Sequence, residues 1–77
     1  MIKHKKQFGV YHWDTFDNET ILITKDWRTL EMAEFDTILE ADAFVQEQYA
    51  GCISDQGADQ VDIVDLQGNV VQSYRVC

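Results

Sequence analysis

The sequence predicts a two-layer α+β domain: one α-helix packed on a small antiparallel sheet, in the order β-β-(β)-α-β-β. Three observations carry that expectation. Residues 8–14, 20–25, 60–65 and 70–76 are short runs rich in β-branched and aromatic types or in apolar–polar alternation, the mark of strands with one face on a core. Between the second and third run, Ile38, Ala41, Val45 and Tyr49 recur at helical spacing. The strand runs on each side of the helix are separated by short polar segments, so each pair reads as a hairpin, and one helix over one antiparallel sheet buries both apolar faces.

Phe8-Gly9-Val10-Tyr11-His12-Trp13-Asp14 opens the first hairpin. Thr15 to Glu19 is turn chemistry, because Asp17 and Asn18 hydrogen-bond their own backbone and tolerate left-handed conformations. Thr20 to Lys25 returns as the second strand. Residues 26–35 read either as a short third strand or as an irregular connection, since Leu30, Met32 and Glu34 alternate against Glu31, Ala33 and Phe35.

Thr37 and Glu40 then have the spacing of a capping box, and Asp36 and Glu40 complement the positive end of a helix starting there. The helix is expected to end near Ala50, with Gly51 as the left-handed stop. After a loop at Ser54 to Asp59, strand 60–65 should turn Val61 and Ile63 inward. A turn at Leu66 to Asn69 leads to the last strand, with Val70, Tyr74 and Val76 on one face.

At 77 residues, one domain spanning 1–77 is expected. Three of its six basic residues, Lys3, Lys5 and Lys6, lie in the first six positions, which read as a basic, flexible tail. The rest carries three basic groups against fourteen acidic ones, so the formal net of −8 hides a body near −11. No Lys or Arg occurs between Arg28 and Arg75, where ten carboxylates fall. That balance excludes a generic nucleic-acid binder, which needs clustered cations facing phosphates.

The two cysteines, Cys52 and Cys77, fall short of the four or more of a disulfide framework, so free thiols are expected. The basic start is followed by no apolar run, and no window has the length of a membrane span, which places the protein in the cytoplasm of its own cell or of a phage host. His12 has Asp14 and Asp17 as possible partners, but no Ser or Cys stands in a nucleophile motif, so a satisfied or surface histidine is expected rather than a catalytic one. Asp55, Asp59, Asp62 and Asp65 lack the spacing of a calcium loop, and the Cys and His positions lack zinc spacing. No Gly-rich loop cradles a phosphate. No enzymatic activity, cofactor, metal or direct contact with nucleic acid or membrane is therefore expected. Phe8, Tyr11, Trp13 and Trp27 read as core or sheet-face packing rather than a base-stacking platform.

Asp36-Thr37-x-x-Glu40-Ala41, followed by Gly57-Ala58-Asp59-Gln60-Val61-Asp62-Ile63-Val64-Asp65-x-x-Gly68-Asn69-Val70-Val71, resembles small bacterial and prophage proteins of unknown function built as hairpin, Thr-capped helix and hairpin. The resemblance covers roughly the last forty residues. In size, charge and layout the chain is also similar to acidic phage-encoded inhibitors of the anti-CRISPR type. Independently of that likeness, a one-signed acidic surface with no cation between Arg28 and Arg75 suits a basic groove, its carboxylates standing in for phosphate oxygens.

The expected function is thus a small non-enzymatic interaction module that binds a basic or nucleic-acid-handling protein. The candidate contact residues are Glu40, Asp42 and Glu47 on the helix with Asp55, Asp59, Asp62 and Asp65. The alternative is an accessory domain that self-associates as a homodimer through Val70 to Val76 as an exposed sheet edge.

Overall fold

In a computed structural model, which describes residues 2–77, the aromatic run forms the central strand β1, Phe8–Asp14. Asp14 accepts the Phe16 amide at 2.8 Å, Asn18 takes φ 51°, and the chain reverses into β2, Glu19–Leu22. The sheet order is β2-β1-β6-β7, with β6 at Asp59–Val64 and β7 at Val70–Val76, and every pairing is antiparallel. The α+β architecture of one helix on a small antiparallel sheet is therefore the fold.

Residues 26–35 resolve the reading left open by their sequence. β3 (Thr24–Asp26) and β4 (Glu31–Met32) make a separate small hairpin, and β5 (Glu34–Phe35) returns to pair with Phe8 and Gly9 of β1. The join is made by Ala33, which accepts the Val10 amide and donates its own to Ile23. Leu30, in the β3–β4 turn, holds φ 60°, a region that suits glycine better than a bulky side chain. Trp27 in that turn is 78% exposed, so it does not pack on the core as expected.

Helix α1 is Ile38–Gln48. Thr37 caps it by accepting the Glu40 amide and donating its hydroxyl to the Glu40 carboxylate. The helix stops two residues before the expected Ala50; Tyr49 is its cap, and Gly51 follows at φ 81°. Ala41 and Val45 face the sheet, fully buried against Val10, Ala33, Val61, Ile63, Tyr74 and Val76, with Phe8, Ile23, Phe35, Phe44 and Tyr49 at the margin. Val61 and Ile63 point inward as the alternation requires. Val70 does not: the β6–β7 register shifts between Ile63 and Val64, and Val70 is left 53% exposed.

Two expectations are corrected by tertiary contacts. Cys52 and Cys77 are not free thiols but form a disulfide, their Cα atoms 5.1 Å apart. The β6–β7 hairpin carries the chain back to the turn that follows α1, where Ile53 bridges to Val76 and Cys77 donates its amide to Cys52. A separation of 25 residues hid this from a reading based on cysteine number.

The amino-terminal run is not a free tail either. His4 is only 4% exposed, and the amides of Lys5 and Lys6 both donate to Glu34 Oε1, at 2.6 and 3.0 Å. The Lys3, Lys5 and Lys6 side chains remain in solvent. Among the described residues no helix is long and apolar enough to cross a membrane.

Candidate functional site

The seven carboxylates singled out in the sequence do not form one surface. Glu40 serves the helix cap. Asp42 accepts from the Tyr74 hydroxyl at 2.5 Å and from Gln72 at 3.3 Å, tying α1 to β7. Asp62 points to the opposite face of the sheet, where Ser73 and Gln60 donate to it at 2.7 and 2.8 Å. Asp65 closes the β6–β7 turn by accepting the Gln67 and Asn69 amides. These four are occupied by the fold itself.

Asp59 is also occupied, but at the end of the sheet where β1 finishes and β6 begins. One of its oxygens accepts from His12 Nε2 at 3.0 Å, the other from the Thr15 amide and hydroxyl at 3.2 and 2.9 Å. Those bonds, that of His12 first, hold its carboxyl below the ordinary aspartate range. His12 is thus a satisfied histidine, with Asp59 as its partner rather than Asp14 or Asp17. Its Nδ1 lies 2.9 Å from the Tyr49 hydroxyl, so one imidazole links strand, helix cap and neighbouring strand. Burial, and after it the charge of Asp59, push the Tyr49 hydroxyl above the ordinary tyrosine range. Glu47 and Asp55 are exposed, and among the described residues their carboxylates receive no hydrogen bond.

The same end of the molecule holds three further acids, Asp14, Asp17 and Glu19, which were not among the expected contact residues. Asp14 and Glu19 stand directly opposite each other across β1 and β2, on the face that bears the helix. Like charges in that position destabilise a sheet. With Asp17, His12, Ile21 and Ile23 they line a half-open trough of about 240 Å³ beside the helix terminus. Its apolar wall is Ile21 and Ile23; its rim is acidic.

Among the described residues no Lys or Arg lines the trough. Lys25 pairs with Glu31 at 3.2 Å, and Arg28 lies 3.9 Å from Asp26, both within the β3–β4 hairpin. The carboxyl end of α1, where the helix dipole is negative, carries Glu47 and no basic residue in its last turn. Asp14, Asp17, Glu19, Glu47, Asp55 and Asp59 therefore share one end of the fold. An acidic triplet within six residues, Asp14, Asp17 and Glu19, was the available sequence signal, and it was masked because Asp also makes turns. Among the described residues no three His, Cys, Asp or Glu side chains converge as ligands for a metal ion.

Comparison with protein-family models, with curated proteins and with solved structures found no match.

Proposed function

We propose that the protein is a small, non-enzymatic, acidic interaction module, of the kind phages encode as inhibitors, which binds a basic, nucleic-acid-handling protein by presenting carboxylates in place of phosphates. The observation that carries this reading is the cross-strand pair of Asp14 and Glu19 at the acidic trough. Two like charges set opposite each other cost the fold stability, and a cationic group from outside would offset that cost. Ile21 and Ile23 suit the methylene stem of an arginine or lysine, and Asp14, Asp17 and Glu19 its charged head. Long-range attraction from a body near −11 would steer such a partner to this end.

Titration calorimetry with an arginine-rich peptide tests the reading. Binding is expected at ~0.05 M salt, with steep loss by ~0.5 M, where exposed charges are largely screened. Asp17→Lys with Glu19→Lys should abolish it, whereas Asp36→Lys on the far side of the fold should weaken it only slightly. Glu19→Lys by itself should raise thermal stability, because it turns a like-charge pair with Asp14 into an opposite one. Affinity that ignores salt, or that survives the double reversal, overturns the proposal.

A further inference from the structure

Tyr11 lies on the face of the sheet away from the helix, yet it is only 7% exposed, because the amino-terminal segment crosses it. Its hydroxyl meets three groups of that segment: the amide of Lys3 at 2.8 Å, the amide of His4 at 3.3 Å and Nδ1 of the His4 ring at 2.8 Å. A phenolic oxygen accepts two hydrogen bonds and donates one. The two amides can only donate, so they take both acceptor positions. The remaining proton of Tyr11 must go to Nδ1, which is then unprotonated, and the proton of the neutral ring sits on Nε2. Among the described residues that buried Nε2 has no partner.

The ring has no room to shift. Gly9 lies beneath it so closely that a Cβ on Gly9 would fall 2.4 Å from His4 Nδ1. Protonating Nδ1 would place three N–H donors on one oxygen that can accept two, and would put a charged ring in a site where Nε2 already lacks an acceptor. The groups around it do not remove the conflict. Glu34 on β5 attracts an imidazolium, but the Lys5 and Lys6 amides already donate to its Oε1; Lys3, Lys5 and Lys6 repel one; Asp62, across β6 from Tyr11, is bonded to Ser73 and Gln60.

We propose that the amino-terminal segment, residues 2–6, is a pH-gated strap: docked on Tyr11 and Gly9 while His4 is neutral, and released from the outer sheet face when His4 takes up a proton. The docked form holds only the neutral ring, whereas the released form takes it neutral or charged, so acid favours release. Release uncovers Tyr11 and withdraws Ile2 from the wall of a groove of about 480 Å³ that it lines together with Thr20, Val64, Leu66 and Val70. The event lies on the face opposite the acidic trough and does not depend on it.

The test is a nitrogen-15 NMR titration of the full chain from about pH 7.5 to about pH 5, the range in which histidines ordinarily change charge. At the upper end His4 should show the Nε2–H tautomer. As pH falls, the Lys5 and Lys6 amide signals should move to unstructured positions with loss of their heteronuclear NOE, in step with the His4 ring. Gly9→Ala, which displaces the ring, should give the released spectrum at every pH. His4→Gln, which carries no titrating ring, should give strap signals that do not change over the range. An Nδ1–H tautomer, strap signals constant with pH in the native chain, or the same transition in His4→Gln would each overturn the proposal.

Discussion

Tyr74 of β7 donates its hydroxyl proton to Asp42 of α1 across 2.5 Å, so the last strand is bonded to the helix through a half-buried carboxylate. Gln72 completes the group by donating to both. Burial first, and then the bond to Asp42, push the Tyr74 hydroxyl well above the ordinary tyrosine range. Tyr74→Phe keeps the ring in the core and removes the bond, and should lower unfolding free energy by about 1 kcal/mol in denaturant titration.

The same bond sets an alkaline limit. Folding keeps Tyr74 and Tyr49 protonated, so the stability they contribute is intact below the pH of an unfolded tyrosine, ~10, and is lost as pH rises past it. Ultraviolet titration should show Tyr74 and Tyr49 ionising only above that range, together with the loss of structure. Tyr74→Phe should remove one of these two late-ionising groups.

Asp59 acts at the opposite extreme. Its carboxyl is held below the ordinary range by His12 and Thr15, so its stabilising effect is complete above the unfolded value of ~3.9 and fades as pH falls through the lowered one. Glu34, lowered mainly by the Lys5 amide, adds to the same limb. Thermal melts at stepped pH should show a shallower acid loss in Asp59→Asn than in the native chain.

The disulfide closes a loop across 25 residues of separation. Cys52→Ser with Cys77→Ser should cost about 3 kcal/mol by the chain-entropy account. A small domain has little stability to spare, so the expected readout is a fall in Tm of ten degrees or more. Thiol reduction of the native chain should reproduce it.

Leu30 offers a gain. It is 67% exposed and holds φ 60°, so its side chain contributes little packing while its backbone pays for a left-handed conformation. Leu30→Gly should stabilise the fold by about 0.5–1 kcal/mol, read by denaturant midpoint at unchanged slope.

Local chemistry made most of the architecture legible. β1 was readable to its ends because a seven-residue run of aromatic and β-branched types fits little else, and the helix start was readable because Thr37 and Glu40 cap within four residues. What escaped the sequence depended on distant partners. Cys77 meets Cys52 only after the β6–β7 hairpin has formed, and His4 is buried only because Gly9 leaves space beneath it. The scattering of the seven candidate carboxylates over several surfaces has a related cause. Asp42, Asp62 and Asp65 look like free surface acids in one dimension, but each faces a donor supplied by a later strand or turn.

Residues 52–54, pinned by the disulfide, have one more effect through the edge they cover. Ser54 donates to the Arg75 carbonyl and Ile53 bridges to Val76, so the carboxyl-terminal part of β7 already has a neighbour, and only its first residues offer backbone groups to an incoming chain. At the other side of the sheet, β2 has four residues. Neither border is long enough to template polymerisation well. Reduction would undo that protection as well as the cross-link, by loosening the segment that shields β7, so the thiol form should be the one that forms fibrils.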